Sequence, residues 1–80
     1  VPSGPASDPK GQLGERIREL RRRRGLSQEA LADAAGLDRT YISSCERGKR
    51  NVSLLTLYRI AAALDVEPSA LLMPPGQEDE

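Results

Sequence analysis

Apolar residues recur along this chain at helical spacing, with polar residues filling the gaps. Leu13, Ile17 and Leu20 lie four and three apart, the stripe of an amphipathic helix that must stop before Gly25. Ser27 suits the N-cap of a second helix, and Glu29 falls in its first turn, where the helix dipole favours an acid. That helix buries Leu31, Ala32 and Ala35 and then meets Gly36. Asp38 can cap a third helix, around residues 38–47, with Ile42 and Cys45 inward and Gly48 at its end. Ser53 caps a fourth, whose Leu57, Ile60, Ala61 and Leu64 fall at i, i+3, i+4 and i+7. Pro68 fits the first position of a short fifth helix running through Leu71 and Leu72. No stretch alternates in the manner of a strand. The pattern predicts an all-α fold of five short helices.

Both ends fall outside that pattern. Residues 1–11 hold three prolines and two glycines, and residues 74–80 read Pro-Pro-Gly followed by four polar or acidic residues. Neither stretch carries enough apolar surface to offset the entropy of ordering it. The expected organisation is a disordered arm over 1–11, a single domain over 12–73 and a flexible acidic tail over 74–80. The single cysteine, Cys45, excludes an internal disulfide, and the absence of histidine removes the usual zinc sites. No apolar run approaches the roughly 20 residues of a membrane span, and no signal peptide is visible. A cytoplasmic protein without metal, cofactor or small-molecule ligand is the expectation.

The net charge of +0 conceals an asymmetry. From residue 10 to residue 50 there are eleven Lys and Arg against six Asp and Glu, a surplus of five. From residue 51 onward one arginine faces five acids, a deficit of four. A basic half of this kind points to a polyanionic partner.

Only Gly36, Leu37 and Asp38 separate the second and third helices. So short a turn makes the axes cross steeply and needs a residue that tolerates positive φ where it begins, which Gly36 supplies. The steep crossing also needs a small residue at the contact, and Ala32 fits. Ile42 and Cys45 close the wedge from the other side. Gln28, Ala32, Gly36, Ile42 and Cys45 thus stand at relative positions 1, 5, 9, 15 and 18.

These residues resemble a known family. The stretches Leu-Ser-Gln-Glu-Ala-Leu-Ala (26–32), Ala-Gly-Leu (35–37), Tyr-Ile-Ser (41–43), Glu-Arg-Gly-Lys-Arg (46–50) and Ser-Leu-Leu-Thr-Leu (53–57) are similar to the phage-repressor and Cro-type (XRE) helix-turn-helix family. Residues 37–55 are especially similar to controller proteins of restriction–modification systems. The resemblance implies a five-helix domain like that of lambda repressor, and a regulator of bacterial or phage origin that binds double-stranded DNA. It also implies that Gln28 braces the recognition helix and that Arg21 pairs with Glu46 inside the domain. Cys45 departs from the larger aliphatic residue usual in the family, and Val52 from a common proline.

With Ile42 and Cys45 inward, Thr40, Ser43, Ser44 and Arg47 are expected on the outer face of the third helix, beside Arg39 at its start. The first residues of a recognition helix reach base edges, so Arg39, Thr40, Ser43 and Ser44 are the candidate base contacts. Arg39 can give guanine O6 and N7 two hydrogen bonds. Gln28 opens the second helix, where free N–H groups suit a phosphate. Arg47, Lys49, Arg50 and Asn51 form a polar loop suited to further phosphates. Tyr41 can either offer its hydroxyl to a phosphate or pack against the first helix. The run Arg21 to Arg24 points in four directions on a helix and cannot form one patch, so three of its members read as solvated.

An enzyme of this size would need histidine, a phosphate-cradling glycine loop or paired carboxylates in a cleft, and none is present. A protein-interaction module, such as an antitoxin or an adaptor part of a larger protein, would carry apolar anchors on the third helix, where hydroxyls and arginine stand instead. RNA recognition favours stacking aromatics, of which there are only Tyr41 and Tyr58. Leu55, Tyr58 and Ala62 form a second apolar stripe on the fourth helix, which Leu71, Leu72 or Met73 could extend. That stripe predicts a homodimer built on the fourth and fifth helices.

Overall fold

The computed structural model describes residues 8–76, and five helices make up their regular structure. They are α1 (Pro9–Arg23), α2 (Gln28–Ala35), α3 (Arg39–Glu46), α4 (Leu54–Leu64) and α5 (Pro68–Leu71). Local chemistry explains most of the boundaries. The Ser27, Asp38 and Ser53 side chains accept hydrogen bonds from the N–H groups of Ala30, Thr40 and Thr56, so α2, α3 and α4 begin where their caps stand. Gly36 ends α2 at φ 71°, and Leu37 donates its N–H to the Ala32 carbonyl at 2.8 Å, closing a left-handed cap. Asp65 ends α4 in the same conformation at φ 59°.

The start of the domain requires a correction. Residues 9–11, expected to belong to a disordered arm, form the first turn of α1, with Pro9 at its opening. Their glycine weakens the intrinsic helix but lets α1 approach the end of α3 closely. A Cβ on Gly48 would stand 2.9 Å from Gly11 Cα, and one on Gly14 would overlap the Cys45 carbonyl oxygen. The other end differs too, since Pro74, Pro75 and Gly76 lie on the domain and Gly76 donates its N–H to the Glu19 carboxylate at 3.0 Å. The remainder of the expected arm and tail, residues 1–7 and 77–80, lies outside the described residues.

The core draws on all five helices. Ile17, Leu31, Ile42, Ile60, Leu64 and Leu71 are fully buried, and Ala32 and Cys45 nearly so. Leu71 is therefore a core residue and not part of an exposed stripe, which corrects its assignment to a dimer surface. The polypeptide enters α5 with Leu71 turned inward and Leu72, the next residue, 60% exposed. Among the described residues no helix is long and apolar enough to cross a membrane.

Candidate DNA interface

The Gly36 turn brings α2 and α3 together as the spacing requires, with Ala32, Ile42 and Cys45 buried between them. On the other side of α3, Arg39 and Thr40 are exposed at its N-terminus and Ser43 is half-buried. Arg47 reaches back along the helix and donates Nη1 to the Ser43 hydroxyl at 2.6 Å. Lys49, Arg50 and Asn51 follow as exposed residues in the loop before α4. One cationic and hydroxylic surface thus runs from the first turn of α3 through that loop.

Two of the expected contacts do not lie on this surface as drawn. Ser44 is buried, and its hydroxyl donates to the Thr40 carbonyl one turn earlier at 2.9 Å. The chain turns back after Gly48, bringing the Lys49 N–H to the Ser44 carbonyl at 3.0 Å, so this side of α3 is not the open face that a straight helix would offer. Tyr41 is half-buried and packs against the core cluster. Its hydroxyl faces Thr56 and the Cys45 thiol, and burial is the first cause that raises its pKa. Arg50 rests on the ring with its guanidinium carbon 5.0 Å from the centroid. Tyr41 therefore steadies a loop cation. Burial, ahead of the influence of its neighbours, also raises the Cys45 pKa.

Behind the surface, Glu46 organises three elements. Arg21 grips its carboxylate with two prongs, Nε to Oε2 at 2.6 Å and Nη2 to Oε1 at 3.0 Å. The remaining Arg21 nitrogen, Nη1, donates to the Leu26 carbonyl at 2.9 Å, tying in the loop before α2. Gln28 donates Nε2 to Glu46 Oε1 at 3.0 Å, the only orientation of the amide in which it bonds a carboxylate. Arg18 adds a second cation 3.5 Å from Oε1. Burial alone would raise the Glu46 pKa, but the hydrogen bonds from Arg21 and Gln28 and the charges of Arg21 and Arg18 outweigh it and hold the carboxyl below its ordinary value. α1, α2 and the C-terminal end of α3 are thus locked around one ionised carboxylate.

The family resemblance implied the Arg21–Glu46 pair, but not Arg18, nor the bond from Gln28 to the same acid. The buried Arg16 carries no signal in the sequence, because nothing in its own helix predicts a partner in α5. Of the arginine run, Arg22, Arg23 and Arg24 are exposed, and Arg23 and Arg24 lie 3.6 and 3.5 Å from Glu19 and Asp65. Exposed pairs at that distance contribute little. Among the described residues no cluster of three His, Cys, Asp or Glu side chains forms a metal site.

Two helices joined by a glycine turn, the second braced from behind and exposed along a cationic, hydroxylic face, define a helix-turn-helix DNA-binding domain. The Helix-turn-helix family HTH_3 matches residues 17–71. Control protein C.SmaI of Serratia marcescens is 47% identical over 73 residues, which span 91% of this chain and 87% of that protein. The structure of the restriction-modification controller protein C.AhdI from Aeromonas hydrophila aligns with a TM-score of 0.75 at 54% identity, over 76% of this chain and 92% of that one. The hypothetical transcription factor NHTF from Neisseria aligns with a TM-score of 0.84 at 40% identity, over 94% and 86% of the two chains. The chain belongs to the helix-turn-helix family of DNA-binding transcriptional regulators.

Proposed function

We propose that this protein controls transcription as a homodimer on an inverted-repeat operator, with α3 of each protomer in a major groove. The observation that carries the reading is the pairing of an exposed Arg39 and Thr40 with the fixed carboxylate of Glu46 at the other end of the same helix. A helix held that firmly can present Arg39 to a guanine in one geometry. Ser43, occupied by Arg47 in the free protein, becomes a base contact when Arg47 swings to a phosphate. Gln28 spends one amide hydrogen on Glu46 and keeps the other for a phosphate, beside Lys49, Arg50 and Asn51. The likeness to control proteins favours a controller or repressor acting in the cytoplasm, and the chemistry of the surface favours binding over catalysis.

The alternative, a protein-interaction module, is disfavoured because the apolar residues left exposed lie elsewhere. Leu54, Leu55 and Tyr58 on α4 are 70%, 69% and 53% exposed, Leu72 after α5 is 60% exposed, and Ala62 is exposed on α4. Self-association through these residues would shield them and set two recognition helices about 34 Å apart, one turn of DNA.

Salt dependence tests the DNA reading. With about three to five phosphate contacts per protomer, a dimer neutralises roughly 6–10 charges, and binding should weaken about 10³- to 10⁵-fold between 50 and 200 mM salt. A flat dependence would remove the cationic surface from the mechanism. Sedimentation of the parent protein and of Tyr58→Asp tests the dimer, which the substitution should split.

A further inference from the structure

Arg16 is the largest fully buried side chain of the domain, and the Glu46 cluster does not use it. Its guanidinium crosses from α1 to the far end of the chain. Nε donates to the Ala70 carbonyl at 2.8 Å, Nη2 approaches Met73 Sδ at 3.8 Å, and Nη1 pairs with Glu19 Oε1 at 2.9 Å. One turn either side, α1 holds the same segment again. Gln12 Nε2 lies 3.5 Å from the Leu72 carbonyl, and the Glu19 carboxylate accepts the Gly76 N–H at 3.0 and 3.1 Å. Gln12, Arg16 and Glu19 form one stripe on α1, and along it residues 70–76 are fastened.

That segment cannot order itself. α5 has four residues, far below the length at which a helix persists alone, and its last carbonyls have no partner within the helix. The turn that follows meets the Ala70 carbonyl only at a long 3.4 Å from the Met73 N–H, and Arg16 adds a closer donor at 2.8 Å, at the cost of placing a charge where water cannot reach it. What the fastening fixes is register. Leu71 is fully buried while the adjacent Leu72 is 60% exposed, so a slip of one residue would exchange them. With Ala70 and Met73 both held by Arg16, Leu72 can only face outward.

We propose that Arg16 is a positioning residue for self-association: by fastening residues 70–76 to α1 it presents Leu72 beside the exposed α4 residues as part of one interface. This rests on the dimer reading above. The prediction is that loosening the segment weakens the dimer while the DNA-reading helices keep their structure.

The test measures the dimer constant by sedimentation, and amide hydrogen exchange, in the full chain. Arg16→Met and Glu19→Ala should speed exchange at Leu72, Met73 and Gly76 and leave α2 and α3 protected. Each should weaken dimerisation by about tenfold to a hundredfold, the effect of removing one well-buried leucine from an interface. Arg16→Lys, which keeps one donor for Ala70, and Glu19→Gln, which keeps an acceptor for Gly76, should recover part of the loss. If Arg16→Met fails to fold, Glu19→Ala and Arg16→Lys decide the matter. Faster exchange at those amides with an unchanged dimer constant would overturn the role of Arg16 and leave the dimer reading standing. A parent protein that stays monomeric at every concentration would overturn both, and is told apart by the parent measurement alone.

Discussion

Gly14 of α1 and Glu46 of α3 meet backbone to backbone: a Cβ on Gly14 would stand 2.8 Å from the Glu46 carbonyl oxygen. This contact lets Arg18 and Arg21, one and two turns further along α1, reach the Glu46 side chain. Helix propensity alone predicts that Gly14→Ala stabilises the protein by about 0.8–1 kcal/mol. Backbone atoms cannot give way as a flexible side chain can, so crowding should dominate and the net effect be a loss of about 1–2 kcal/mol. In a domain of this size that lowers Tm by roughly 4–8 °C per kcal/mol. A urea or thermal melt in which Gly14→Ala is the more stable protein would show that α1 does not lie this close to α3.

The bond network around Glu46 predicts strong coupling. Arg21→Met strands a buried carboxylate, and Glu46→Gln strands a cation that is 12% exposed. Breaking one side of such a pair costs about 3–5 kcal/mol, whereas losing both partners costs less than the two single losses added. Gln28 and Arg18 remain on Glu46 in Arg21→Met, so the loss there should fall toward the lower end of that range. A double-mutant cycle with additive losses below a kilocalorie would contradict the pair.

The same carboxylate sets the acid limit of the fold. Because the folded protein holds the Glu46 pKa below its ordinary value of about 4.3, the unfolded chain binds the proton first as pH falls. Stability from this group is therefore fully present above that value and is lost as pH drops through the lowered folded pKa. Glu19 follows the same sign, chiefly through the Gly76 N–H, and more weakly because it is partly exposed. Denaturation curves from pH 7 to pH 3 should show this loss, and Glu46→Gln should show a shallower one. An identical slope in the two proteins would mean that another group carries the acid sensitivity.

Base and phosphate contacts should separate under mutation. Arg39→Ala should cost about 1–3 kcal/mol on the preferred site and relax preference at one base pair per half-site. Lys49→Ala should weaken all duplexes almost equally and reduce the salt slope by about one per protomer. Competition binding against single-base variants of the site distinguishes the two. Unchanged preference in Arg39→Ala would remove it from base readout.

What the sequence made legible was the local part of the fold. Ser27, Asp38, Ser53 and Gly36 act within their own turn, so their types and spacing were enough to delimit α2, α3 and the start of α4. The fourth helix was also legible because Leu57, Ile60, Ala61 and Leu64 repeat over about two turns. What stayed hidden depends on distant chain. Gly11 reads as part of an unstructured arm until Gly48 is seen lying against it, and nothing local marks Gly14 as the point where α1 meets the end of α3. Leu71 and Leu72 are equally apolar, and a four-residue helix has too little periodicity to say which faces in. Ser44 looked exposed on a helical wheel because a wheel omits the loop that returns to its carbonyl. Arg16 looked like any surface arginine, because its acceptor Ala70 lies 54 residues away.

Whether α3 reads the sequence of double-stranded DNA is decided by selecting bound molecules from a pool of random duplexes. The expected result is enrichment of an inverted repeat whose half-sites are centred one helical turn apart, with a guanine at the position lost from the consensus in Arg39→Ala. A pool that remains random after repeated rounds, bound as tightly as at the start, would contradict it.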